Sequence, residues 1–231
     1  MRPMADTPAM RTVTTLRYER NQDLPPTPDA DVVAPESFVE HFLGEFTDPG
    51  DAVLDPFAGF GTTLAVAESM GRGPIGVEYE ADRVEYVRGR VDRPDNVVHG
   101  TALELSTYDL PTVDCCLTSP PFMVRGMETD PFENYDGESD YASYLDDVTR
   151  AFSELRTVLA PGASVLVDVA NVKYDGDVTT LAWDVADAVS KVLHFEGEVA
   201  VTWEGGESPN GEGTFGYGYD HSYCLVFRNE A

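Results

Sequence analysis

Two short stretches of the chain combine residue types and spacings that suit a reactive site. The first is Asp55-Pro56-Phe57-Ala58-Gly59-Phe60-Gly61-Thr62-Thr63, directly after the apolar run Ala52-Val53-Leu54. Glycines at 59 and 61 let the backbone turn tightly and come close to a ligand. A helix opening at Thr62 offers its free amide donors at the same place. A carboxylate at Asp55 repels a pyrophosphate but suits a cationic group. Glu78 ends the next apolar run, where an acid can accept from both hydroxyls of a ribose. An acid for an ammonium and an acid for a ribose together fit S-adenosylmethionine. Two other nucleotide motifs are excluded. A dinucleotide fingerprint needs a third glycine where Leu64 stands, and no Gly-Lys-Ser/Thr follows to make a phosphate loop.

The second stretch is Thr118-Ser119-Pro120-Pro121-Phe122, after the apolar run Val113 to Leu117. Two prolines fix the backbone and remove two donors, which leaves carbonyls free to accept. Ser119 accepts as well as donates, and Phe122 offers an aromatic face. This set suits a flipped base bearing an amino group. Its amine hydrogens would point to the Ser119 hydroxyl and the Pro120 carbonyl, making the nitrogen lone pair more available to an activated methyl. The base would stack on Phe122. No Pro-Cys pair is present, so the nucleophile of ring-carbon methylation is missing.

These turns need strands and helices to hold them. The pattern predicts helices over Pro35–Phe46, Thr62–Met70, Ala81–Val91, Tyr141–Leu159 (stopped by Pro161-Gly162) and Thr179–Leu193. It predicts strands over Ala52–Leu54, Pro74–Val77, Asn96–His99, Val113–Leu117 and Ser164–Val169. A closing antiparallel pair over Glu198–Trp203 and Tyr223–Phe227 forms the edge. Such alternation implies an α/β fold with a mostly parallel sheet covered by helices on both faces. Seven strands are expected in one catalytic domain over residues 32–231, preceded by an irregular, proline-bearing arm over residues 1–31.

With both motifs in this frame, the chain resembles the amino-methyltransferase family, the N4-cytosine and N6-adenine DNA methylases. The cofactor motif resembles Asp55 to Thr63 and the catalytic motif Ser119 to Phe122. The family's Arg-x-Leu-x-Pro-Gly region is similar to Arg156 to Gly162, and its last strand to His221 to Arg228. The likeness runs over roughly residues 35 to 228. It implies a Rossmann-like class I methyltransferase fold, S-adenosylmethionine as cofactor, and transfer to an exocyclic amino nitrogen. By the same resemblance, Asp55, Phe57, Ala58, Gly59, Gly61, Thr62, Thr63 and Glu78 bind the cofactor, while Ser119, Pro120, Pro121 and Phe122 are catalytic. Serine at 119 leans toward cytosine N4. The family often has an acid after a glycine to hold the adenine amine; here Gly100 is followed by Thr101 and Ala102, which take that place without an acid. Phe122 stands where tyrosine is commoner, keeping the stack and losing a hydroxyl.

Partners follow from these readings. DNA is favoured by the resemblance. A catalytic core with little room for a separate recognition domain makes structured ribosomal or transfer RNA the alternative, or calls for a recognition subunit. A small-molecule or protein N-methyltransferase and a non-catalytic cofactor-binding module are the rival classes. Arg83, Arg88, Arg90 and Arg93 form either a basic patch or, by the simpler reading, a solvated helix face paired with acids. Arg11, Arg17 and Arg20 are placed to touch phosphate if the arm folds back. His221 either lines the site or is structural, and the glycine- and aromatic-rich stretch from Gly205 to Tyr219 either clamps a base by stacking or is a surface loop.

Composition sets the outer bounds. Acids outnumber bases 42 to 15, a net charge of −27, and only Lys173 and Lys191 are lysines. The acid is spread along the whole chain. Two readings compete: a protein that avoids nucleic acid, and one adapted to molar salt, where the screening length falls to about 3 Å and net charge says little about the ligand. The spread of acid and the near absence of lysine favour the second. No apolar run approaches a membrane span, and the first 20 residues lack a signal-peptide core. Cys115, Cys116 and Cys224 read as buried small hydrophobes in a reducing compartment, with no metal-ligand spacing, so a cytoplasmic protein without a metal is expected.

Overall fold

The computed structural model describes residues 11–18, 24, 33–133, 139–174, 176–204 and 221–230. In chain order its elements are β1 (Val13–Arg17), α1 (Glu36–Phe46), β2 (Ala52–Asp55), α2 (Thr62–Ser69), β3 (Gly73–Glu78), α3 (Ala81–Arg88), β4 (Val97–His99) and β5 (Val113–Thr118). Then follow α4 (Tyr141–Arg156), β6 (Leu159–Val169), β7 (Val172–Tyr174), β8 (Asp177–Thr179), α5 (Leu181–Ser190), β9 (His194–Glu204) and β10 (His221–Arg228).

One sheet runs β1-β9-β10-β6-β5-β2-β3-β4, and β7 and β8 form a separate small hairpin. The sheet is α/β and mostly parallel, as the alternation predicts; β10 runs antiparallel to both β6 and β9. It has eight strands rather than seven, because part of the N-terminal arm is ordered. Val13 to Arg17 pairs in parallel with Ala200 to Glu204. The β9–β10 pair is therefore not the edge: β10 is inserted between β6 and β9, and β1 closes that side.

Helices cover both faces. Phe38, Val39, Phe42 and Leu43 of α1 pack with Val66 and Ala67 of α2 against one face. On the other face, Tyr144, Val148, Phe152 and Leu155 of α4 pack with Leu181, Val185 and Val189 of α5. The spacing of these residues at three and four is what makes each helix two-faced. Asp140 caps α4 by accepting from the Ser143 amide at 2.8 Å.

The end of α4 differs from the expectation. The helix stops at Arg156, and β6 already begins at Leu159, so Pro161-Gly162 lies inside a strand instead of terminating a helix. Gly162 takes φ +80, and its amide donates to the Asn229 carbonyl at 2.7 Å. The β5–β6 register shifts nearby. A proline followed by a left-handed glycine suits such an irregularity in a sheet as well as it suits a helix stop.

All three cysteines are buried and free. No described helix is long and apolar enough to cross a membrane. Among the described residues no group of three or more His, Cys, Asp or Glu side chains is arranged to hold a metal.

Candidate active site

The chain runs from β2 outward through β3 to β4, then returns to β5 on the other side of β2. A sheet of this kind opens a crevice at that reversal, beyond the carboxyl ends of the strands. The two motifs meet there. Asp55 ends β2 and Thr118 ends β5, and the Thr118 hydroxyl donates to Asp55 Oδ1 at 2.6 Å. A cavity of about 420 Å³ lies over this junction, in the size range of sites that enclose small ligands.

Local chemistry explains the glycine turn. The Ala58 amide donates to the Val77 carbonyl at 3.0 Å, and the Gly61 amide to the Ala58 carbonyl at 2.7 Å. Gly61 caps α2 in the left-handed region, φ +79, and a Cβ there would lie 2.7 Å from Val87 Cγ1. Glycine is required at 61 on both counts. Glu78, at the end of β3, ties the turn down. Its Oε2 accepts from the Gly59 amide at 2.7 Å and its Oε1 from the Glu80 amide at 2.8 Å.

Of the residues singled out in the cofactor motif, Asp55, Phe57, Ala58, Gly59, Thr62, Thr63 and Glu78 line the cavity, joined by Thr101 and Ala102. Gly61 does not; its place is the bend beneath. Ser119, Pro120, Pro121 and Phe122 line the opposite side. Phe122 is 37% exposed, so its ring is open at the mouth. The Ser119 hydroxyl donates to the Asp168 carbonyl at 3.2 Å, which commits its one proton and leaves its lone pairs to accept.

Several wall residues escape the sequence reading. Asp168, near the end of β6, is an acid inside the apolar run Val165 to Val169, and that isolated charge was the available signal. Arg83 and Tyr79 flank Glu78 at the mouth, and Phe132 closes one end. Three of the four arginines at 83, 88, 90 and 93 are held by local contacts, while Arg93 is exposed. Arg83 pairs with Glu80 at 3.2 Å and lies over the Phe60 ring, Arg88 donates to the Val97 carbonyl, and Arg90 donates to the Phe60 carbonyl. They are bound into the cofactor side of the fold. Arg17 lies on β1, and the His221 ring is 3.1 Å from the Tyr223 hydroxyl rather than in the cavity wall. Arg20 and Gly205 to Tyr219 lie outside the described residues.

Electrostatics mark the cavity as a place for a cation. Burial pushes the Asp55 carboxyl up to about 6, against the pull of its hydrogen bonds from Thr118, Thr63 and Phe57. Burial likewise raises Glu78, and lifts Asp168 to about 7 with the Ser222 hydroxyl pulling the other way. Three acids at one cavity, each costly to ionise when buried, are relieved by a positive ligand. The Thr62 hydroxyl is buried without a hydrogen-bond partner among the described residues. This donor set fits a methyl donor that carries a sulfonium, an ammonium and a ribose.

The pH response follows. Folding holds the Asp55 proton to about 6, above the ordinary 3.8. The folded state therefore binds more protons between those values. Its stabilising contribution is fully present below the lower value and is lost as pH rises through the upper one. A bound cation favours the ionised form, so affinity for a cationic ligand is expected to weaken as pH falls below about 6. Calorimetric titration with S-adenosylmethionine across this range should show the dissociation constant rising on acidification, and Asp55→Asn should flatten the dependence. A pH-independent constant for the unmodified protein would remove Asp55 from the cation site.

A sheet reversing at β2, a glycine turn with two carboxylates, and a Ser-Pro-Pro-Phe turn facing them have the arrangement of the class I S-adenosylmethionine-dependent methyltransferase fold. Solved structures agree on the fold. TrmN from Thermus thermophilus superposes with a TM-score of 0.58 at 16% identity, over 84% of this chain and 49% of that one. A methyltransferase from Pyrococcus furiosus gives 0.54 at 16% identity, over 87% and 85%. The family model described as DNA methylase, of the N6 and N4 type, matches residues 11–88 and 113–231, and the chain belongs to that family. Among curated relatives, the DNA adenine methyltransferase YhdJ of Escherichia coli is 42% identical over 72 residues, 31% of this chain and 24% of the relative. The Type II methyltransferase M.HinfI of Haemophilus influenzae is 42% identical over 57 residues, 25% and 16%. The matched stretches thus span less than a quarter of the length of either relative.

Proposed function

We propose that the chain transfers a methyl group from S-adenosylmethionine to the exocyclic amino nitrogen of a DNA base, cytosine N4 first and adenine N6 as the alternative. The observation that carries this reading is the Thr118–Asp55 hydrogen bond. It joins the end of the cofactor motif's strand to the end of the catalytic motif's strand, so both motifs face one cavity.

When bound, S-adenosylmethionine supplies a methyl group already activated on a positive sulfur. What remains for the protein is to hold and orient. Glu78 is assigned the ribose hydroxyls and Asp55 the cationic end, with the Thr62 hydroxyl and the glycine turn against the ligand. Gly100 to Ala102 border the base of the nucleoside. Across the cavity, the Ser119 lone pairs and the Pro120 carbonyl accept the hydrogens of the target amine. Phe122, open at the mouth, stacks on the target ring. Accepting both amine hydrogens raises electron density on nitrogen, which is the chemistry a weakly nucleophilic aromatic amine needs.

Serine at 119 favours cytosine N4 through the family resemblance, while the relative named as a DNA adenine methyltransferase favours adenine N6. Deletion of the gene in its host, followed by nucleoside mass spectrometry of genomic DNA, ribosomal RNA and transfer RNA, tests the proposal. Loss of N4-methylcytosine or N6-methyladenine from DNA supports it and names the base. Loss from an RNA fraction alone reassigns the substrate. Loss from none of these fractions, with labelled methyl entering protein or small molecules in vitro, overturns the nucleic-acid reading. Assays belong in molar salt, given the net charge of −27.

A further inference from the structure

The Ser-Pro-Pro-Phe turn has an intrinsic weakness. Pro120 and Pro121 have no N–H, so the turn cannot hold itself with backbone donors across its own centre. An outside donor does so. The Tyr144 hydroxyl, on the first turn of α4, donates to the Pro121 carbonyl at 3.1 Å, and Tyr144 is wholly buried. Its ring continues a column of aromatics toward the cofactor motif. Tyr144 lies 5.8 Å from Phe132, and Phe132 lies 5.7 Å from Phe57 in an edge-on contact. Phe57 and Phe132 both line the cavity. On its other side Tyr144 stacks on Tyr141, 5.8 Å away at 28° between planes.

We infer that Tyr144 is a positioning residue for methyl transfer, setting the catalytic turn through the Pro121 carbonyl so that the Pro120 carbonyl and Ser119 are the acceptors left for the target amine. This inference rests on the amino-methyltransferase reading above. The two proline carbonyls have different duties. The carbonyl of Pro121 accepts a donor from inside the fold. Removing the phenol hydroxyl takes from a part-buried carbonyl its partner on α4, and the turn that carries Ser119 shifts with it. A misplacement of about 1 Å at a reacting pair can cost as much as 100-fold in rate.

The test is Tyr144→Phe in the full chain, which keeps the aromatic column and deletes one hydroxyl. With enzymatically amplified DNA as the unmethylated acceptor, kcat is expected to fall at least tenfold, while the calorimetric dissociation constant for S-adenosylmethionine changes less than twofold. Hydrogen–deuterium exchange without any substrate is expected to quicken in the peptide covering residues 118–126 and to stay unchanged in the rest of α4. Unaltered kcat, or exchange that quickens evenly across the molecule, overturns the positioning role. Should the unmodified protein transfer methyl to neither DNA nor RNA, the functional reading fails by itself, and the exchange measurement still decides whether Tyr144 holds the turn. Phe132→Leu separates the column from the hydrogen bond: it should weaken cofactor binding while leaving exchange at residues 118–126 close to that of the unmodified protein, and the reverse pattern counts against the division of labour.

Discussion

Replacing Ser119 with alanine is expected to lower kcat about 100-fold, within the range for losing a group that stabilises charge or moves a proton at the reacting atom. The geometry gives the reason. The one hydroxyl proton is committed to the Asp168 carbonyl at 3.2 Å, so what Ser119 presents to the cavity is acceptor capacity. On the proposed reading, alanine would leave one amine hydrogen without a partner and the nitrogen lone pair delocalised in the ring. Among the described residues the hydroxyl makes no hydrogen bond to the glycine turn or to Glu78, and its partner is the main-chain carbonyl of Asp168 rather than the carboxyl, so the affinity for S-adenosylmethionine should stay within twofold. Single-turnover rates at saturating cofactor give the answer directly. A Ser119→Ala protein that keeps its turnover would leave the Pro120 carbonyl as sole acceptor and remove serine from the mechanism.

The largest effect on binding belongs to Glu78. Its two oxygens accept from Gly59 and Glu80, and the same carboxylate faces the cavity where a ribose would lie. Glu78→Ala therefore removes two structural acceptors and the ligand contact together. Hydrogen bonds to a charged acceptor contribute about 1.5–3 kcal/mol each, so a loss of two to three orders of magnitude in cofactor affinity is expected. Glu78→Gln is the informative companion, because an amide has one oxygen and can satisfy only one of the two backbone donors. It should fall between the unmodified protein and alanine. Calorimetry that finds less than a threefold change for Glu78→Ala would place the ribose elsewhere.

How much of this was legible in the sequence depended on whether the signal was local. The two motifs could be read because tight turns with no Cβ, or with consecutive prolines, are rare local conformations that need particular residues. Gly61 shows this: its left-handed backbone and the closeness of Val87 admit only glycine. The five helices and the central strands were readable from the spacing of apolar residues. What failed was non-local. Val13-Thr14-Thr15-Leu16-Arg17 alternates weakly and has no buried run, and it becomes a strand only because β9 offers an edge. Pro161-Gly162 is a usual helix stop, yet α4 had already ended at Arg156, and the pair serves a strand irregularity. Arg83, Arg88 and Arg90 spend their charge on Glu80, backbone carbonyls and aromatic rings, contacts that sequence spacing cannot show. Tyr144 reads as an ordinary core position of an amphipathic helix; only the fold brings its hydroxyl under the second proline of a turn 23 positions earlier in the chain.

The pairing of β1 with β9 also fixes an order of assembly. Val13 lies opposite Ala200, so β1 cannot pair with β9 until the long stretch between them has been made. Contacts between residues so far apart in sequence close late, and β1 docks onto a sheet whose other strands are already paired. Until then β9 presents an open row of backbone donors and acceptors, the kind of edge that recruits strands from other molecules. Every residue placed in the cavity lies beyond β1 in the chain. A protein shortened past Arg17 would thus keep its cavity residues yet leave the β9 edge open, and its defect would show as self-association during expression, with the chemistry of the protein that stays in solution unchanged.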